Sequence, residues 1–108
     1  MSKFVSTMRK GFQMTFANGI TASVQWGAGN YCDNHFPEDR DFSCSKDAKS
    51  TNAEVACWRD GARDFSIIHD IVPKEMDNPW DDVIGWLTAE EVLDFLNACR
   101  NYKGGGVK

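Results

Sequence analysis

The sequence lacks the motifs that would assign a function directly. It contains no glycine-rich phosphate-binding pattern of the form G-x-G-x-x-G or G-K-[ST], and none of its four cysteines forms a C-x-x-C pair. No apolar run approaches the roughly 18–20 residues of a membrane span. Residues 1–11 also lack the apolar segment of a secretory signal. We therefore expect a cytoplasmic protein with free thiols, no membrane partner and no cofactor.

The chain is also poor in positive charge. Twelve basic residues stand against sixteen acidic ones, which gives a net charge of −4. This balance disfavours a nucleic-acid partner, because such partners are usually held by a basic surface. Residues 60–82 carry much of the excess, with seven acids and two bases. This segment is either a merely solvated surface or a surface that faces a basic partner.

The strongest local pattern is a β-hairpin over residues 11–17 and 20–26. Apolar and polar residues alternate in both segments, which is typical of strands with one buried face. All the apolar side chains share that face only if Phe16 pairs with Ile20 across a three-residue loop that ends at a left-handed Gly19. A slip of one residue would turn a whole strand inside out.

Two more extended segments are predicted downstream. Residues 53–59 and 64–69 flank an Asp-Gly turn signal and are interpreted as a second hairpin. Residues 83–87 are predicted to form a short strand. Residues 27–52 are strongly polar and are predicted to form one long loop, which is unusual in a compact domain and is often functional or mobile.

A capping box made by Thr88 and Glu91 predicts a helix over residues 89–102, with one apolar stripe. We expect an α+β fold in which this helix packs on one face of an antiparallel sheet of four or five strands. The chain length fits a single domain, 1–108. Residues 104–108 are predicted to be a frayed tail.

The Gly27–Asn30 loop is a candidate ligand site because exposed amides in glycine-rich loops can cradle phosphates. Gly27, Gly29 and Asn30, with the aromatic ring of Tyr31, would then hold a nucleotide-like molecule. No helix begins there to add its dipole, and a strand exit that needs a positive φ angle is the simpler interpretation.

A candidate zinc site is formed by Cys32, His35 and Cys44, with Cys57 or His69 as a fourth ligand. Zinc accepts such thiolate and imidazole ligands in a tetrahedron. The C-x2-H-x8-C spacing fits no standard zinc finger, however. The simpler interpretation is free loop thiols beside a surface histidine, so we expect no bound metal.

Nucleophilic catalysis is a further alternative. A free cysteine beside His35 or His69 would make a dyad, and Asp70 could orient the imidazole of His69. The sequence brings no such group together, so no catalytic residue is assigned.

Exposed tryptophans are the remaining candidate. Trp58 points away from the core if Val55 and Cys57 point into it, and Trp80 lies between a proline and an aspartate. Tryptophan is favoured at binding hot spots, although it can equally cover a small core. The candidate binding surface contains two tryptophans and five aspartates: Trp58, Trp80, Asp60, Asp64, Asp77, Asp81 and Asp82.

Two stretches, GFQMTFANGITASVQWGAGNYCDN and VIGWLTAEEVLDFLN, resemble small accessory proteins encoded by tailed bacteriophages. The resemblance implies a bacterial cytoplasm during infection and a non-structural role. Small acidic phage proteins often bind and block a host component, including defence systems. We therefore expect a protein that binds a host protein, as a monomer or a homodimer. Binding of a nucleotide-like small molecule is the alternative.

Overall fold

The computed structural model describes residues 2–35 and 48–104. Its elements are the strands β1 (Lys3–Ser6), β2 (Gly11–Thr15), β3 (Ile20–Gln25), β4 (Ala53–Arg59) and β5 (Ile84–Leu87), a 3₁₀ turn (Phe65–Ile67), and the helices α1 (Ile68–Ile71) and α2 (Ala89–Asn101). The strands form one antiparallel sheet in the order β1-β2-β3-β4-β5. The expected α+β class is confirmed. No described helix is long and apolar enough to cross a membrane.

The first hairpin has the predicted register. Phe12 pairs with Val24 and Met14 with Ala22, so the apolar side chains share one face. The Phe16 amide donates to the Ile20 carbonyl at 2.9 Å, and the φ angle of Gly19 is +87°. The three-residue loop with a left-handed glycine is therefore confirmed. Both strands end one or two residues earlier than expected.

The second predicted hairpin is wrong. Residues 64–69 are not a strand, because Phe65–Ile67 form a 3₁₀ turn and the chain then enters α1. The partners of β4 are β3 and β5. The Asp64 carboxylate caps the turn by accepting from the Ser66 amide at 3.0 Å. The buried side chains of Ile68, Ile71 and Val72 then recur at helical rather than strand spacing.

The core lies between one face of the sheet and α2. Phe95 and Cys99 of α2 are fully buried, as are Val55 and Cys57 of β4. The predicted capping box begins this helix: Thr88 Oγ1 accepts from the Glu91 amide at 3.2 Å, and Glu91 Oε1 accepts from the Thr88 amide at 2.9 Å. The helix therefore starts where the capping pattern predicts.

The far end of α2 is tied to the hairpin loop by Asn18. Its Nδ2 donates to the carbonyls of Cys99 at 2.8 Å, Tyr102 at 3.0 Å and Arg100 at 3.2 Å. Its Oδ1 accepts from the Ile20 amide at 3.0 Å. One side chain therefore donates to the carbonyls at the end of the helix, of which that of Cys99 also accepts from the Tyr102 amide at 3.4 Å, and it also fixes the turn.

Two predicted segments fall partly outside the described residues. The long loop predicted over 27–52 is described at 27–35 and 48–52, where it forms turns and bends without a strand or helix. The predicted tail is described only at Gly104.

Asn18 is expected to contribute to stability through its donor group. Replacing Asn18 with Ala should lower the free energy of unfolding by about 1–3 kcal/mol, because the partly buried carbonyls at the end of α2 lose their hydrogen-bond donor. Asn18→Asp should lower it further, since a carboxylate would face the negative end of the helix dipole. Urea unfolding measures both.

The matched control is Asn97→Ala, at an exposed position on the same helix. It should change stability by no more than about 0.5 kcal/mol. Equal effects of the alanine variants at positions 18 and 97 would contradict the tie between loop and helix.

Candidate functional site

The candidate site is built around His69, which two carboxylates hold from both sides. His69 Nδ1 lies 2.7 Å from Asp77 Oδ1, and His69 Nε2 lies 2.9 Å from Asp82 Oδ1. Since α1 carries the histidine and the following crossing carries both aspartates, these contacts fix the crossing to the body of the protein. We call residues 69–82 the acidic segment.

The backbone of the acidic segment is ordered by local turns. The Met76 amide donates to the Pro73 carbonyl at 3.0 Å, and the Met76 side chain packs against the core. Asn78 makes the next turn: its Oδ1 accepts from the Trp80 amide and its carbonyl accepts from the Asp81 amide, both at 3.2 Å. Such side-chain turns hold a defined backbone conformation without a helix or strand.

Trp80 projects from this ordered backbone into solvent, with 92% of its surface exposed. A tryptophan normally gains stability by burying its large ring. Here the backbone is fixed by the Asn78 turn while the ring covers no core. Because the backbone is already fixed, binding through Trp80 would cost little backbone conformational entropy, which is a property of a preorganised contact residue.

The surroundings of Trp80 are negatively charged. The acidic segment contains five acids and one lysine, Lys74. Hydrogen bonds to Asp77 and Asp82 raise the pKa of His69 above its ordinary value of 6.5, against a smaller effect of desolvation. When the imidazole is protonated, its positive charge offsets one of its two carboxylate partners. The segment remains acidic.

The other predicted surface residues, Trp58, Asp60 and Asp64, make local structural contacts. The Trp58 ring is half-buried and stacks on Phe65, with centroids 5.0 Å apart. Two hydrogen bonds from Ser66 lower the pKa of Asp64, which caps the 3₁₀ turn. The Asp60 amide donates to the hairpin loop. Of the predicted set, Asp77, Trp80, Asp81 and Asp82 lie in the acidic segment, where they are already close in sequence.

The Gly27–Asn30 loop is a closed turn. The Gly27 amide donates to Asn30 Oδ1 at 3.0 Å, and the Asn30 amide donates to the Gly27 carbonyl at 3.1 Å. The Glu54 carboxylate accepts from Asn30 Nδ2 and from the Tyr31 amide. Gly29 has the positive φ angle, +89°. This geometry is poorly suited to phosphate, because several of the amides are already used and a carboxylate stands beside them.

The candidate zinc ligands are not assembled in the described part of the chain. Cys32 is buried, its Sγ lies 3.7 Å from the Gly27 carbonyl, and burial raises its thiol pKa. His35 Nδ1 lies 3.0 Å from the Asn30 carbonyl. Cys44 lies outside the described residues. Within 2–35 and 48–104, no three His, Cys, Asp or Glu residues are placed to hold a metal ion.

The suggested catalytic partners are also differently placed. The partners of His69 are Asp77 and Asp82, rather than its sequence neighbour Asp70. Both ring nitrogens of His69 are hydrogen-bonded to carboxylates, so the residue acts as a structural clamp between Asp77 and Asp82. Cys57 is fully buried in the core.

Sequence reasoning missed an aromatic cluster beside β5. The rings of Tyr31 and Trp86 stack with centroids 5.7 Å apart, and His35 lies 5.2 Å from Tyr31. Trp86 has a φ angle of +55°, which is rare for a bulky residue and often marks a functional or strained position. No local sequence signal predicts this conformation.

An apolar cleft opens between the sheet and the start of α2. It encloses about 260 Å³ and is lined mainly by apolar side chains, including Phe12, Trp26, Leu87 and Val92, with Ser50 and Asn52 among its polar residues. The Trp26 ring is fixed by its Nε1, which donates to the Ala48 carbonyl at 3.0 Å. The cleft suits a small apolar molecule better than a phosphate.

Comparisons with known proteins find no counterpart: no protein-family model, curated protein or solved structure matches the chain.

The His69 clamp predicts a specific pH dependence. Because the folded pKa is raised, the contribution of the clamp to stability is complete below about pH 6.5, the ordinary histidine value. It is lost as the pH rises through the folded pKa. NMR titration of His69 should give a midpoint above that of an unfolded peptide, and Asp77→Asn and Asp82→Asn should each lower it.

Asp70→Asn is the matched control, since Asp70 neighbours His69 in sequence and does not bond to it in the structure. It should lower the His69 midpoint less than either clamp variant does. A wild-type midpoint at or below the peptide value would contradict the clamp.

Proposed function

We propose that the protein is a small binding protein that engages a basic host protein through Trp80 and the acidic segment around it. The observation that carries the proposal is the 92% exposure of Trp80 on a backbone fixed by the Asn78 turn and the His69 clamp. A preorganised aromatic residue supplies contact area at low entropic cost. The surrounding carboxylates favour a partner of opposite charge.

The biological setting is part of the same proposal. The resemblance to accessory proteins of tailed bacteriophages suggests a bacterial cytoplasm, with a host or defence component as the partner. A partner with a basic surface around an apolar pocket would complement both features of the site. Blocking such a surface would inhibit the partner without any catalytic step by this chain.

Trp80→Ala should weaken binding by at least about 30-fold without loss of the fold. Truncating an exposed side chain should change stability by no more than about 0.5 kcal/mol, whereas loss of a tryptophan hot spot costs at least about 2 kcal/mol of binding energy, or about 30-fold in affinity. The test is affinity capture from bacterial lysate with wild-type and variant protein, followed by titration of the purified partner.

The control is Leu93→Ala, which removes a side chain that is 58% exposed on α2. It should bind as the wild type does. Equal retention of the partner by the wild type and Trp80→Ala would show that Trp80 is not the contact.

Charge should act mainly on the rate of association. Asp81→Asn keeps the oxygen that accepts from the Val83 amide and removes one charge beside Trp80. It should lower the association rate and weaken its dependence on salt. Surface plasmon resonance at two ionic strengths measures both.

Asp94→Asn is the charge-matched control, because it removes the same charge from an exposed position on α2. If the two aspartate variants behave alike, the effect reflects net charge rather than the acidic segment.

The alternative is binding of a small molecule. The apolar cleft at Phe12 and Trp26 favours it, although the closed Gly27–Asn30 loop makes a nucleotide phosphate a poor fit. A ligand would raise the melting temperature in a saturable way. A shift with nucleotides would favour the loop, and a shift with small aromatic compounds alone would favour the cleft.

A further inference from the structure

The two edges of the sheet are built differently. At the β5 edge, the register between β4 and β5 is broken by a bulge. Trp86 in this bulge donates its amide to the Tyr31 carbonyl at 2.9 Å. Gly85 packs so closely that an added Cβ would lie 2.5 Å from the Tyr31 Cβ. A bulged edge that is covered by a loop is protected against pairing with another strand.

The β1 edge has no such protection in the described part of the chain. β1 pairs with β2 on one side, and no described strand lies on its other side. All four of its residues are exposed, and 76% of the Phe4 surface is open to solvent. α2 packs on β3, β4 and β5, so the helix leaves this edge uncovered.

The backbone hydrogen bonds show which β1 amides face outward. The Thr7 amide donates to the Gly11 carbonyl, whereas the Phe16 amide donates to β3. Hydrogen-bonded pairs alternate along an antiparallel ladder, so the odd residues of β2 bond to β1 and the even ones to β3. From the register of β1 with β2, Lys3 and Val5 face inward. Phe4 and Ser6 therefore direct their amides and carbonyls away from the sheet.

We propose that β1 pairs antiparallel with β1 of a second copy of this chain, with Phe4 opposite Phe4. Because the β5 edge is protected, β1 of one copy cannot pair with β5 of the next in a head-to-tail arrangement. A two-fold symmetric dimer needs only the β1 edge, which each copy contributes once. The Phe4 register also brings Ser2 opposite Ser6. This register therefore gives hydrogen-bond partners to more of the outward-facing backbone amides and carbonyls than the neighbouring register, in which Val5 is opposite Val5.

The side chains are compatible with this pairing. The two Phe4 rings, exposed in the single chain, would face one another and bury apolar surface. Lys3 would lie opposite Val5 of the second copy, so the two lysines do not meet. Because α2 lies over β3 to β5, the helices of the two copies would not collide at the new joint.

Phe4→Lys tests the pairing, because it places like charges opposite one another. Sedimentation equilibrium should show a wild-type dimer and a monomeric Phe4→Lys variant with unchanged circular dichroism. Leu93→Lys adds the same charge to an exposed position on α2 and should remain dimeric. A wild-type monomer at every soluble concentration would overturn the proposal. A monomer that takes up an added strand peptide at β1 would also overturn it, in favour of a different occupant.

Cysteine substitution tests the register. In a Cys44→Ser background, Phe4→Cys should form a covalent dimer when glutathione disulfide oxidises the two thiols, since directly opposed residues lie within disulfide reach. Val5→Cys should form much less. Preferential cross-linking through position 5 would overturn the Phe4 register. None of these substitutions touches Trp80, so failure here is distinguishable from failure of the proposed binding function.

Discussion

The contact of Asn18 with the end of α2 is the constraint on which the rest of the structure depends. The hairpin and the helix are separated by most of the chain, and Asn18 Nδ2 donates to three carbonyls at the helix end. The capping box at Thr88 fixes the opposite end. Because both ends of α2 are fixed, its side chains Phe95 and Cys99 pack on β3 and β4. The 3₁₀ turn and α1 then pack beside this core and carry His69 to the surface.

The His69 clamp extends this order into a segment that has little secondary structure of its own. Two carboxylates from different turns contact one imidazole and, together with the packing of the Met76 side chain on the core, fix the crossing between α1 and β5. The clamp orders the crossing, whereas the Trp80 ring, 92% exposed, covers no part of the core. Local order combined with high exposure is the physical basis for interpreting Trp80 as a contact residue.

Local patterns predicted the elements whose causes are local. The alternation around Gly19 specified the first hairpin to its register, and the Thr88 capping box specified the start of α2. The β4 to β5 pairing was missed because it joins segments far apart in sequence. The Asp-Gly turn signal before residues 64–69 predicts a strand there, whereas the spacing of Ile68 and Ile71 is that of the helix that the structure contains. For the site, the flanking proline and aspartate indicated an exposed Trp80. Only the tertiary fold could reveal the His69 contacts and the left-handed Trp86.

The most direct test of the central claim is site-specific photo-crosslinking from position 80 in bacterial cells that produce the protein. A photoreactive phenylalanine analogue replaces Trp80 in one variant and Leu93, which is 58% exposed on α2, in another. The account predicts one dominant adduct from position 80, to a protein whose cross-linked peptide lies in a basic surface, and no such adduct from position 93. Adducts from position 93 alone, or none from position 80, would contradict it.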